Sequence, residues 1–168
     1  MPVYWFALSQ VEHIHWARAI LIFIILHALV YPASNGYNSF MDRDQSPIGG
    51  LKQPPQPTKQ LFYTTLFMDL TALVLSGWIG GYFLLGIGAY ILASRAYSFR
   101  GIRLKKFPIL GYLIVVIFQG GLTYYLVYRG SGGSLVPGTY GVAVLASSLL
   151  VGGFYPLTQL YQLSLIHI

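Results

Sequence analysis

Long apolar runs separated by short polar loops set the pattern of this chain. Five such runs lie at about residues 16–34, 61–78, 82–97, 107–128 and 140–161. A bilayer-spanning helix needs about 20 mostly apolar residues, so the pattern predicts five membrane-spanning helices. The third run is short and glycine-rich, and the pair covering 61–97 turns at Ser76-Gly-Trp-Ile-Gly-Gly81. Repeated Gly, Ala and Ser in these runs suit close helix packing in lipid. A soluble helical bundle would need polar faces, and these segments have almost none. Residues 1–9 have no basic residue and no signal-peptide pattern. They read as the end of a further membrane helix, with Tyr4, Trp5 and Trp16 at an interface. The expected fold is all-α: a polytopic transmembrane helix bundle of about five full spans plus a partial N-terminal one.

Composition agrees with this picture. Of 168 residues, 55% are hydrophobic and 8% charged, against about 25% charged in a soluble domain. With no cysteine, disulfides and Cys-based metal or redox sites are excluded. The net charge of +6 sits in loops between apolar runs, which favours lipid headgroups or a phosphorylated substrate over nucleic acid. The 35–60 loop carries Arg43, Lys52 and Lys59, and the 98–106 stretch carries Arg100, Arg103, Lys105 and Lys106. Loops on the other side hold little beyond Arg18 and Arg129. The positive-inside rule then puts both basic loops on the cytoplasmic face, in the cytoplasmic (inner) membrane. The proline-rich stretch 52–58 reads as an extended lead into the next helix, and 131–133 as a turn on the far side.

Chemistry concentrates in Asn35-Gly-Tyr-Asn38-Ser-Phe-Met-Asp42-Arg43-Asp44, which holds two of the four acidic residues. If the first helix continues past Ser34, Asn35, Asn38 and Asp42 share one helical face. Amide and carboxylate oxygens together are hard ligands that suit Mg²⁺, with substrate phosphate oxygens and water completing its shell. Asp44 falls on a different face unless the helix unwinds. The competing reading ends the helix at Asn35-Gly36 and leaves the aspartates solvated. The densest basic cluster, Arg95, Arg100, Arg103, Lys105 and Lys106 with Tyr97, could clamp a diphosphate or simply anchor a cytoplasmic helix end. Arg43 and Lys52, beside the carboxylates, join the diphosphate-binding candidates. Asp69 lies well inside the second run, where an ionised carboxylate costs about 2.5–3.5 kcal/mol. It is either a polar site together with Asn35 or a structural aspartate, protonated or paired with Tyr or Thr. His27 reads as a packing or hydrogen-bonding residue and His13 and His15 as interfacial. Phosphate loops of the GxxxxGK type and HExxH are absent.

Three stretches carry a resemblance: residues 31–44 (YPASNGYNSFMDRD), 94–106 (SRAYSFRGIRLKK) and 155–162 (YPLTQLYQ). Together they resemble the UbiA superfamily of intramembrane prenyltransferases. Asn38 and Asp42 match the spacing of that family's first acidic motif, whereas its next acidic position falls on Ser46 and Asp44 sits two residues early. The resemblance implies metal-ligand and catalytic roles for Asn38, Asp42 and Asp44, and binding of the donor diphosphate by Tyr97, Arg100 and Arg103. It implies Mg²⁺ as cofactor, and a polyprenyl diphosphate and a small-molecule acceptor, often aromatic, as substrates. The family's second acidic motif would follow residue 162, where the chain instead reads LSLIHI, like a translated sequencing adapter. Residues 1–162 are therefore expected to be one partial prenyltransferase domain, a fragment of a roughly nine-helix fold and inactive alone, with 163–168 a non-native tail. The rival reading is a small multi-span transporter or channel component with Asp69 and the asparagines lining a polar path. A CDP-alcohol phosphotransferase ranks lower, because its longer Asp-rich pattern is missing.

Overall fold

The computed structural model describes residues 2–43, 55–134 and 139–164, and its regular structure over them is all helical. Helix α1 spans Pro2–Ser9. Helix α2 runs without a break over Trp16–Asp42, with a π-helical segment at Ile25–Val30. Helices α3 (Lys59–Gly77) and α4 (Gly81–Ser98) follow. A single 3₁₀ turn, Leu104–Lys106, precedes α5 (Pro108–Gly130), whose middle, Val116–Leu122, is again π-helical. Helix α6 spans Thr139–Ser164. Helices α2 and α5 and the Tyr140–Leu157 part of α6 are long and apolar enough to cross a membrane.

Local chemistry accounts for the boundaries. Thr58 caps α3 by accepting the Leu61 N–H at 3.3 Å. Pro108 opens α5 at a position where no backbone donor is needed. Gly80, between α3 and α4, has φ of 150°, a backbone region that is essentially glycine's alone. The π segment of α5 leaves a widened turn, across which Thr123 Oγ1 donates to the Phe118 carbonyl at 2.9 Å. Helix α2 does not stop at Asn35-Gly36 but continues for about two further turns to Arg43, whose left-handed φ of 50° ends it.

Ile22, Ile25 and Leu26 of α2, Phe83 and Ile87 of α4, and Tyr124 and Leu126 of α5 are fully buried. Gly36 lets α2 approach α3, since a Cβ there would lie 3.0 Å from Thr65 Cγ2. Gly120 does the same for α5 against α6, with a Cβ falling 2.7 Å from Ser148 Cα. Helix α3 is inverted relative to a soluble helix. It buries Thr65, Asp69, Ala72 and Ser76, and exposes Tyr63, Leu66, Phe67, Leu70 and Val74. Water would penalise that exposed face, whereas hydrocarbon would not.

Candidate functional site

The last turns of α2, the end of α4 and the loop between α4 and α5 meet at one end of the bundle. Because α2 stays helical, Asn38 and Asp42 sit one turn apart on the same side. Arg103, in left-handed conformation at φ 47°, turns the chain into the 3₁₀ segment and directs Lys105 back towards α2. Lys105 Nζ donates to Asn38 Oδ1 at 2.9 Å and to Asp42 Oδ2. Ser98 Oγ, from the last turn of α4, donates to the same Asn38 oxygen at 2.7 Å. Arg103 Nη2 lies 3.6 Å from Asp42 Oδ1. The Asp42 side chain is 11% exposed and that of Arg103 43%, so the carboxylate is fixed while the guanidinium is free to swing.

Two spaces adjoin this cluster. A cavity of about 420 Å³ has Tyr31, Asn35, Tyr90, Gln119 and Phe154 among its walls. A second, of about 160 Å³, shares Ser34, Asn35 and Tyr155 with it and reaches Asn38, Tyr97 and Ser98. Asn38 and Ser98 of the cluster thus line the smaller space, whose walls also carry the polar side chains of Ser34, Asn35, Ser94 and Gln119. Tyr97 and Tyr155 close one side through hydroxyls 2.7 Å apart.

The candidates separate on this map. Asn38, Asp42 and Arg103 come together, and Asn35 and Tyr97 line the adjoining spaces. Arg100 instead donates its Nε to the Met41 carbonyl at 2.9 Å, placing a cation at the C-terminus of α2. Arg43 stands over the Phe40 ring, 5.8 Å from its centroid. Asp44 and Lys52 lie outside the described residues. Among the described residues Asp69 pairs with Arg95 rather than with Tyr or Thr. Both Nε, at 3.0 Å, and Nη2 of Arg95 donate to its Oδ2. Arg95 also stacks over Tyr37 at 3.9 Å, so it is drawn out of the basic loop cluster and into the bundle. Asn35 and Asp69 line different spaces and do not form one polar site.

Lys105 and Ser98 are the members that spacing alone did not select as site residues. Lys105 belonged to the basic cluster, but its return to α2 depends on the left-handed turn at Arg103. Among the described residues no group of three or more His, Cys, Asp or Glu gathers at one point. The donor set nevertheless suits a hard cation. The Asn38 and Asp42 oxygens, from different residues, already converge on the one cationic atom of Lys105. Comparison of the chain with protein-family models, with curated proteins and with solved structures found no match.

Proposed function

We propose that this chain is the donor-binding part of an Mg²⁺-dependent intramembrane prenyltransferase, its site facing the cytoplasm. The observation that carries the proposal is the convergence of Asn38 and Asp42 with Arg103 and Lys105 beside a polar and aromatic space that shares a wall with a larger, more apolar cavity. In this account α3 and α4 join α2, α5 and α6 as spans, five in all, within a larger bundle of roughly nine helices. Asn38 and Asp42 would hold Mg²⁺, with Asp44 as a further candidate ligand, and the ion would supply charge neutralisation of the donor's diphosphate as a leaving group.

The chain's own residues supply the rest. Arg103 and Lys105 offset the charge that grows on the diphosphate oxygen as the allylic C–O bond breaks. The bonding electron pair leaves with the diphosphate. An electron-rich acceptor, an aromatic ring in the simplest case, then bonds to the allylic carbon and releases a proton. Tyr31, Tyr90 and Phe118 line or flank the hollow where an apolar tail would lie, away from water. Transport through a polar path is less well supported, because the Asp69 carboxylate it would use is bound by Arg95.

Binding of farnesyl diphosphate to the chain in detergent, with and without Mg²⁺, tests the proposal. Affinity is expected to rise with Mg²⁺ in the wild type and to lose that dependence in Asp42→Ala. Metal-independent binding, or an unchanged Mg²⁺ response in Asp42→Ala, would remove Asp42 from the site.

A further inference from the structure

Lys105 occupies an unusual place for a lysine next to a carboxylate at a helix end. Its ammonium does not merely approach Asp42. It bridges the Asn38 amide oxygen and the Asp42 carboxylate, the same two oxygens that the proposed metal would need. The Asn38 oxygen also accepts from Ser98, so its direction is fixed before any ion arrives.

The two ends of Lys105 are held very differently. Its backbone belongs to a 3₁₀ turn closed by Lys106 N–H to Arg103 C=O at 2.9 Å and Phe107 N–H to Leu104 C=O at 3.0 Å. That turn rests directly on α5, where a Cβ added at Gly111 would lie 3.4 Å from Lys105 Cα. The side chain is a four-carbon stem with a compact, freely rotating charge. An anchored backbone with a swinging cation can vacate the oxygens without moving either helix.

From this we infer that Lys105 is a resident counter-cation of the oxygen site, holding Asn38 and Asp42 together when no metal is bound and exchanging with a divalent ion when one arrives. A doubly charged ion between the same oxygens repels the ammonium and competes for the same lone pairs. The displaced ammonium, still tethered beside Arg103, then faces the anion that the metal attracts. The inference rests on the metal-binding reading above and adds an exchange between two cations.

Binding of Mn²⁺ alone to the full chain in detergent, followed by electron paramagnetic resonance, tests it without any turnover. Lys105→Met and Lys105→Gln should each tighten Mn²⁺ by about tenfold or more, because a competing charge at contact distance is gone. Lys105→Arg, which keeps the charge, should stay near the wild type. In thermal unfolding, both neutral variants should gain more from Mn²⁺ than the wild type does, a readout that a misfolded variant could not give. Equal Mn²⁺ affinity in the wild type and the neutral variants would overturn the exchange while leaving the metal site standing. Weaker affinity in the neutral variants would overturn it too, by showing that Lys105 positions the ligands. If no variant binds Mn²⁺, or if Asp42→Asn retains binding, both the exchange and the metal site fall.

Discussion

Among the described residues two carboxylates are ion-paired between helices. Asp42 and Lys105, at 11% and 18% exposed, are about as shielded as Asp69 and Arg95, so what separates the two sites is how their partners are arranged. Asp69 and Arg95 lie inside, between α3 and α4, with side chains 11% and 16% exposed. Two guanidinium nitrogens reach one carboxylate oxygen, the Tyr37 ring covers the guanidinium, and the Thr65 carbonyl accepts from it at 3.5 Å. Asp42 lies at the bundle's end, where Lys105 and Arg103 both approach it and Lys105 divides its donors between Asp42 and Asn38. The inner pair is closed, one partner for one partner. Among the described residues the outer cluster has two cations for one carboxylate, an amide oxygen besides, and a hollow next to it. Charge fixed one-to-one in a low-dielectric interior is costly to break from one side and leaves neither partner available to a ligand. Surplus cation around a few convergent oxygens is an arrangement for receiving an anion.

Backbone geometry repeats the contrast. Among the described residues, the only non-glycine positions with positive φ are Arg43 and Arg103, and they bracket the outer cluster. Each costs about 1–2 kcal/mol, and none occurs near the inner pair.

Substitutions can break the comparison from either side. The largest effect is expected at the inner pair. Asp69→Ala leaves Arg95 buried without its counter-charge and should cost about 3–5 kcal/mol, while Asp69→Leu with Arg95→Met should recover most of that loss. Denaturant unfolding in detergent measures both, and a single substitution that proved harmless would make the inner pair dispensable. Gly120→Ala should cost about 1–3 kcal/mol by pushing α5 away from the α6 backbone. Ser98→Ala removes one hydrogen bond to Asn38 and should cost about 1 kcal/mol, seen more clearly as weaker Mn²⁺ binding than as lower stability. Asp42→Ala should cost the fold least, about 1 kcal/mol or less. Asp42 and Lys105 are as shielded as the inner pair, but Lys105 on its flexible stem and the 43% exposed Arg103 stand at the bundle's end and can turn to water. A loss there as large as at Asp69 would make the outer cluster a structural clamp.

The fold and the site were legible to different degrees, for physical reasons. The apolar runs located α2 to α6 because an apolar helix carries its signal locally, in every residue. Continuation of α2 to Asp42 was foreseen as a condition, from the spacing of Asn35, Asn38 and Asp42. The role of Arg95 was not legible, because its partner Asp69 lies on the preceding helix and only packing brings the two together. Chain proximity had grouped it with the loop cations instead. Lys105 was obscured for a similar reason, since a single left-handed residue, Arg103, decides whether it faces α2 or water. Arg100 shows a contact that its position did not suggest, a hydrogen bond from Nε to the Met41 carbonyl at the end of α2.

The central claim is that Asn38 and Asp42 grip a divalent ion that itself grips diphosphate. Electron–nuclear double resonance on Mn²⁺ and inorganic pyrophosphate bound to the chain tests this most directly. Phosphorus couplings are expected on an Mn²⁺ whose spectrum differs from that of free Mn²⁺–pyrophosphate, and they should disappear in Asp42→Ala. A spectrum that is the same with and without the protein, or unaltered by Asp42→Ala, would contradict it.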